Sequence, residues 1–153
     1  MIILRPLLTF FAALAICFSA SAQEHGTKDE AKAMVNAALA HVKKVGAEQA
    51  FKDFSTDKAN WNKKDLYVFV MDMKGVMIAH GANEKLIGKN LIELKDQNGK
   101  QFIRGFVDAM TAGSETWVDY DWANPVTKKL EGKSSYLKRI PGFDGFAGVG
   151  IYR

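Results

Sequence analysis

Cysteine is nearly absent from this 153-residue sequence, in which Cys17 is the single one. We expect the N-terminal segment that carries it to be removed, which would leave a chain without cysteine. This excludes disulfides, thiolate catalysis and cysteine-ligated metals or haem, and it suits an oxidising compartment outside the cytoplasm. The three histidines, His25, His41 and His80, show no paired spacing, so we expect neither a metal site nor a cofactor.

A strong charge of one sign is also missing. The formal net charge is +4, and the lysines alternate with acidic residues along the chain. Nucleic-acid binding requires a concentrated basic patch, so we expect no nucleic acid partner.

Long apolar runs are lacking as well. Residues 7–18 form an apolar run of roughly a dozen residues after Arg5, shorter than the approximately 20 that a spanning helix needs. Ala20 and Ala22 follow at the spacing that a signal peptidase accepts. We therefore predict a signal peptide at residues 1–22, cleaved at about Ala22, and one domain at residues 23–153 that is periplasmic or secreted. An uncleaved membrane anchor is the alternative.

Apolar residues at helical spacing occupy the first part of the predicted domain. Thr27 and Glu30 fit a capping box, and the apolar stripe that follows ends at Gly46. A shorter stripe continues over residues 47–54, so either two helices or one helix bent at Gly46 comes first. A further helix is predicted over residues 100–111, with Gly113 placed to end it.

The remaining apolar segments have the pattern of strands. Consecutive hairpins of this kind favour an α+β domain, a five-stranded antiparallel sheet with helices packed across it. Residues 81–99 are mostly loop, a length that is uncommon without a function. Gly148 and Gly150 leave bare backbone on one face of the last strand, where we expect a helix to cross. The predicted strands are residues 66–71, 76–80, 115–122, 133–140 and 146–152.

Several short segments, in their order and spacing, resemble the single Cache domains of bacterial extracytoplasmic sensors, in particular the second single-Cache subtype. The resemblance implies a PAS-like Cache domain, with a long N-terminal helix and a small-ligand pocket on one side of the sheet. It also implies a small organic acid as the ligand, without chemical turnover. The segments are Tyr67-Val68-Phe69-Val70 with Gly75, Ile78-Ala79-His80, residues 86–91, residues 96–100, Tyr120-x-Trp122-x-x-Pro125-x-Thr127, Lys133-x-x-Tyr136 and residues 148–152.

Family members usually belong to a chemoreceptor or a sensor kinase. Here the chain ends at Arg153, directly after the last predicted strand. We therefore expect a separate partner, such as a membrane receptor or a sensor kinase, to carry the response.

Two aromatic rings and one cation form the predicted ligand site. Tyr120 and Trp122 are two positions apart, so they share a face of their strand, and the next strand returns Lys133 beside them. Aromatic walls and one positive charge suit a small carboxylate. Ser135 shares the face of Lys133 and offers a hydroxyl. The alternatives are plain core packing for the rings and a solvent-facing position for the lysine.

Five further residues are weaker candidates for the site. His80 ends a strand before the long loop, and Arg104 interrupts an apolar helix, where its guanidinium either grips a carboxylate or reaches water. Asn83 and Trp61 are candidates for the rim. Tyr136 is included although strict alternation places it opposite Lys133, because a bulge would change its face.

Two other classes of function stay open. The first is a small α+β enzyme in which His80 pairs with Asp119 or Asp121 as acid and base. Strand alternation argues against it, since both aspartates face away from Tyr120 and Trp122, and we expect no enzyme. The second is an accessory protein that docks on a membrane receptor through its helix, which is compatible with ligand binding.

Overall fold

Helices come first along the chain, as the capping residues predict. The computed structural model describes residues 24–153, so the predicted signal peptide lies outside the described residues. Helix α1 spans Lys28–Val45, α2 spans Ala47–Thr56 and α3 is a single turn at Lys58–Trp61. The Thr27 side chain accepts a hydrogen bond from the Glu30 amide at 3.2 Å, and Glu30 Oε2 accepts one from the Thr27 amide at 2.9 Å. The capping box is therefore confirmed.

Antiparallel strands follow, and each predicted strand is present. They are β2 at Leu66–Asp72, β3 at Met77–His80, β4 at Glu115–Ala123, β5 at Leu130–Arg139 and β6 at Gly145–Tyr152, with a two-residue strand β1 at Asn62–Lys63. The order in the sheet is β1-β2-β6-β5-β4, and β3 also pairs with β2. The chain thus forms the predicted five-stranded antiparallel sheet with one short addition at its edge.

A loop and one helix connect β3 to β4. The loop contains a 3₁₀ turn at Glu84–Leu86 and is attached to the β2–β3 turn by a bridge between Val76 and Asn90. Helix α4 spans Phe102–Ala112, close to its predicted bounds, and ends at Gly113. No helix within residues 24–153 is long and apolar enough to cross a membrane.

Each face of the sheet carries its own hydrophobic core. Helices α1 and α2 cover one face, whose centre is built from small and branched side chains such as Val35, Val68 and Val149. Helix α4 and the β3–α4 loop cover the other face, which is rich in aromatic rings. Strands buried on both faces need cover on both, which explains why β2 and β6 are apolar along their length.

Candidate ligand-binding site

Four of the predicted site residues lie together on the α4 face of the sheet. Tyr120 on β4 is directly opposite Lys133 on β5, and Lys133 is in turn opposite Tyr152 on β6. Trp122 and Ser135 follow on the same face at the two-residue period of a strand. The arrangement places aromatic rings, hydroxyls and one amine side by side in the interior.

Lys133 is buried, with 1% of its surface exposed. Its Nζ donates hydrogen bonds to the hydroxyl oxygens of Tyr67 at 2.7 Å and Tyr152 at 3.2 Å. The side chain lies over Gly150, where an added Cβ would come within 2.1 Å of Lys133 Cε. A residue with a side chain at position 150 would therefore displace the lysine. The close neighbours of Gly150 are this lysine and Ser135, and that of Gly148 is Phe69, so the prediction of a crossing helix at the two glycines is wrong.

The amine of Lys133 has no carboxylate partner within residues 24–153. Two of its three N–H groups are used by tyrosine hydroxyls, and the third has no protein acceptor in this part of the chain. Asp65 is buried too, but its oxygens accept hydrogen bonds from His25 at 2.6 Å and from the Gly26 amide at 2.7 Å. Burial therefore holds the pKa of Lys133 well below its usual range, with Asp65 only partly opposing that effect.

Tyrosine hydroxyls surround the amine. Tyr152 donates to the backbone oxygen of Ala123 at 2.9 Å, and it lies 3.3 Å from the Tyr67 hydroxyl. Because Tyr67 accepts from Lys133, its own proton is free to be donated to Tyr152 or into the adjacent space. Burial raises the pKa of Tyr67 well above its usual value, so the phenol stays protonated. Tyr120 and Ser135 share a hydrogen bond of 2.9 Å.

His80 completes the polar group, and its tautomer follows from its contacts. Nδ1 accepts hydrogen bonds from the amides of Ala82 at 3.1 Å and Asn83 at 2.9 Å. Burial, followed by the charges of Lys133 and Lys58, lowers the pKa of His80 to about 3. The ring is therefore neutral, and its proton is on Nε2. No acceptor among residues 24–153 contacts this N–H.

A small cavity lies between the sheet and α4. Its volume is about 20 Å³, somewhat more than the roughly 10–15 Å³ that one water molecule requires. Polar lining comes from Tyr67, His80, Tyr120 and Trp122, and the rest of the wall is apolar. Lys133 lies behind Tyr67, whose hydroxyl it contacts, rather than on the wall itself.

Two of the weaker candidates pack on the opposite face of the sheet. Tyr136 is buried in the α1/α2 core, where its ring lies 5.4 Å from that of Trp117. No bulge intervenes in β5, so strict alternation holds and including Tyr136 in the site was wrong. The prediction that Trp61 belongs to the rim of the site was wrong as well, because its ring packs against that of Phe54 on the same α1/α2 side, with 4.6 Å between the ring centroids.

Two other candidates point to the surface. Arg104 forms an ion pair with Glu93, and both side chains are about half exposed or more. Asn83 is exposed, and its side chain accepts from the Lys85 amide as the cap of the 3₁₀ turn. Neither side chain lines the cavity, so both predictions were wrong. Asn83 does contribute its backbone N–H to His80.

Two residues outside the predicted set contact Lys133 directly, namely Tyr67 and Tyr152. On their strands, both residues occupy the alternate positions whose side chains face α4, but they are 85 positions apart in sequence. Only the β2–β6 and β5–β6 registers bring them together. Their buried hydroxyls at the ends of two apolar strands were the available signal, since such groups need polar partners.

The aspartates of the enzyme alternative bond elsewhere. Asp119 accepts from Ser134 and from Arg153, and Asp121 accepts from Gln97 at 2.9 Å. His80 directs its accepting nitrogen to two backbone amides instead. The postulated acid–base pair is thus not formed. Within residues 24–153, no group of three or more His, Cys, Asp or Glu side chains is arranged to hold a metal.

The fold and this site can be compared with those of known proteins. The sequence profile of a protein family, described as single Cache domain 2, matches residues 12–153. The chain belongs to this family. Cache domains of this kind are sensory ligand-binding domains, and the resemblance and α+β fold predicted above are both confirmed.

Solved structures share the Cache fold. A methyl-accepting chemotaxis protein from Vibrio parahaemolyticus has 28% sequence identity and a TM-score of 0.70, over 82% of this chain and 87% of that one. A Cache chemosensory domain described for its carboxylic acid recognition has 22% identity and a TM-score of 0.68, over 81% and 91% of the two chains. At that identity the second likeness shows the fold alone.

One curated relative is a much longer protein. The sensor histidine kinase MctS of Rhizobium johnstonii is 29% identical over 89 residues, which cover 58% of this Cache domain chain and 19% of the kinase. The chain therefore spans about a fifth of the length of the kinase it matches. The chain is thus similar to parts of a chemoreceptor and a sensor kinase.

Proposed function

We propose that this Cache domain recognises a small carboxylate and that Lys133 is its anion partner. The observation that carries the proposal is a buried amine whose hydrogen bonds, within the described residues, go to hydroxyl oxygens alone. The charged form of a buried amine is costly without a counter-charge, and a carboxylate bound beside Tyr67 would supply one.

Tyr67 would connect the amine to the ligand. Its oxygen accepts from Lys133 at 2.7 Å and its ring lines the cavity, so its proton is positioned to be donated to a carboxylate there. His80 offers a second donor, since Nε2–H has no protein acceptor in residues 24–153. A carboxylate has about four lone-pair positions, which matches two or three converging donors.

Ligand entry would require the cavity to widen. A volume of about 20 Å³ is too small for an acid of four or five heavy atoms. Met71, Met77 and Leu91 lie on the wall, and methionine adapts its shape at low cost. We expect these side chains and the β3–α4 loop that carries Leu91 to move outward on binding.

We further propose that ligand occupancy is reported to a membrane receptor or sensor kinase on the outer side of the cytoplasmic membrane. The chemoreceptor and kinase relatives support this role, and the predicted secretory signal agrees with the location. The described carboxylic acid recognition of one Cache neighbour agrees with the ligand chemistry, although the residues above carry that argument.

Titration calorimetry with a charge-matched pair of ligands tests the proposal. Propionate and propionamide have the same size and differ in the anionic group. Propionate should bind and propionamide should bind at least about 100-fold more weakly, because the amide brings no counter-charge to the buried amine. If acetate, propionate, lactate and pyruvate all fail to bind, or if the amide binds equally well, the proposal is wrong.

A further inference from the structure

The segment that follows β3 is held from the α2 side of the sheet. β3 pairs with β2 and lies at the edge of the sheet. At its end, the amide of His80 donates to the Ser55 hydroxyl of α2 at 3.2 Å, and that hydroxyl donates to the backbone oxygen of Phe51 at 3.0 Å. The next amide, that of Gly81, donates to the backbone oxygen of Val68 on β2 at 2.8 Å. The backbone at the end of β3 is therefore bound both by a strand and by a helix.

Lys58 binds the carbonyl oxygen of Gly81. Its Nζ donates to this oxygen at 2.6 Å and also to the backbone oxygen of Ser55, which lies in the last turn of α2. Asn62 Nδ2 donates to the Gly81 oxygen as well, at 3.1 Å. A carboxylate oxygen of Glu84 lies 3.5 Å from the same Nζ. The ammonium group thus links the end of α2 to the segment that leaves β3.

One peptide group connects Lys58 to the imidazole of His80. The Gly81 carbonyl and the Ala82 amide belong to the same planar trans peptide, in which the C=O and the N–H point in opposite directions. Lys58 holds the oxygen of this group, and His80 Nδ1 accepts from its N–H at 3.1 Å. A cation on the carbonyl also polarises the peptide and strengthens its N–H as a donor. Fixing the oxygen therefore fixes the donor that keeps the proton of His80 off Nδ1.

Packing and charge agree with this connection. An added Cβ at Gly81 would lie 3.0 Å from Tyr67 Cβ and 3.2 Å from the oxygen of Val68, so the peptide has little room to turn. After burial and the charge of Lys133, the charge of Lys58 is the next cause that lowers the pKa of His80. The lysine on the helix side thus affects the ring on the cavity side through both the backbone and its electric field.

We propose that Lys58 is a positioning residue for the ligand site, acting from the α2 side of the sheet by holding the Gly81–Ala82 peptide so that the proton of His80 stays on Nε2. Ser55 supports the same arrangement by binding the His80 amide. The effect on ligand affinity rests on the proposed function, in which Nε2–H is a donor to the ligand, whereas the tautomer depends on the contacts above. Lys58 is itself about half exposed and outside the cavity wall, so its replacement acts on the ligand through His80.

Long-range proton–nitrogen NMR spectra of the histidine rings test the tautomer without any ligand. In the unaltered protein at neutral pH, His80 should be predominantly in the Nε2–H form, and its signals are those that disappear in His80→Gln. Lys58→Met removes the cation and keeps the length of the side chain. It should raise the Nδ1–H fraction of His80 about tenfold, because roughly one hydrogen bond no longer opposes that form. Lys58→Arg should retain the Nε2–H form, since a guanidinium still donates to both carbonyls.

Lys52→Met is the matched control, because it makes the same change at an exposed lysine of α2. This variant should leave the His80 ring unaltered. A proton on Nδ1 of His80 in the unaltered protein, a ring unchanged in Lys58→Met, or equal changes in the two methionine variants would each overturn the proposal. The first of these results requires no variant to fold.

Titration with propionate measures the consequence for binding. The affinity should fall about threefold to tenfold in Lys58→Met, because a donor that is not held in place contributes less, and it should be unchanged in Lys52→Met. An unchanged affinity in Lys58→Met would overturn the positioning role even if the tautomer shifts. If the unaltered protein binds no carboxylate, the proposed function fails, and the NMR result still decides whether Lys58 controls His80.

Discussion

The two faces of the sheet differ in what their residues are suited to do. The α1/α2 face is an ordinary apolar core, with Val35, Phe54, Val68 and Val70 fully buried. The α4 face is also rich in apolar side chains but adds an amine, a histidine and three tyrosine hydroxyls at or near a cavity. Polar groups of this kind weaken a core unless something binds them, so under the proposed function one face provides stability and the other recognition.

The largest effect should come from the stabilising face. Phe54 on α2 is fully buried and packs on Phe51 and Trp61. Phe54→Ala should lower the free energy of unfolding by about 3–5 kcal/mol, as measured by urea denaturation. The relative affinities for different carboxylates should not change in the molecules that remain folded. A shift in ligand preference would show that the two faces are not separable.

A matched pair of tyrosine variants compares the two faces directly. Tyr67→Phe removes a hydroxyl at the cavity, and Tyr136→Phe removes one from the α1/α2 face. The first should weaken propionate binding about 10- to 100-fold, because a hydrogen bond to a charged group is lost, and the second should change it less than about twofold. Isothermal titration calorimetry measures both, and equal losses would contradict the assignment of the site to one face.

Binding should also depend on pH through Lys133. Burial depresses the pKa of the free amine, and a bound carboxylate would raise that pKa again by favouring the charged form. At a pH between the pKa of Lys133 in the free protein and its pKa in the complex, binding takes up a proton. The affinity therefore falls by up to about tenfold per pH unit as the pH rises through that range.

Calorimetry at one pH in two buffers of different ionisation enthalpy measures this uptake directly. His80, with a pKa of about 3, does not titrate near neutral pH and should contribute nothing. Binding without proton uptake at any pH up to 10 would mean that Lys133 is already charged in the free protein.

The smallest effect should come from the surface of α4. Arg104 pairs with Glu93 in the open, away from the cavity. Arg104→Gln should change the free energy of unfolding by less than about 1 kcal/mol and leave propionate affinity unaltered. A loss of binding in this variant would mean that Arg104 contributes to the site, and that the outer surface of α4 takes part in recognition together with the cavity wall.

The fold could be predicted because it depends on local patterns. The capping box at Thr27, the stop at Gly46 and the alternation in β4 and β5 each involve a few neighbouring residues, and they agree with one another. Alternation also placed Tyr120, Trp122, Lys133 and Ser135 on one face without knowledge of the sheet order.

The composition of the site could be predicted only in part, because it depends on strand register. Tyr67 and Tyr152 meet Lys133 through pairings between strands that are far apart in sequence. Arg104 was misjudged since nothing local indicates that Glu93, across the loop, would take its charge. Gly148 and Gly150 did signal a close neighbour, but whether that neighbour is a helix or a side chain of the next strand also depends on register.

The central claim is that Lys133 is kept for recognition at a cost in stability, and Lys133→Met tests it most directly. Methionine has a similar length and no charge. Without ligand, the free energy of unfolding of the variant should therefore be about 1–3 kcal/mol higher than that of the unaltered protein, and propionate binding should be lost. Urea denaturation with and without propionate gives both quantities from one titration series. A variant that is less stable and still stabilised by propionate would contradict the account.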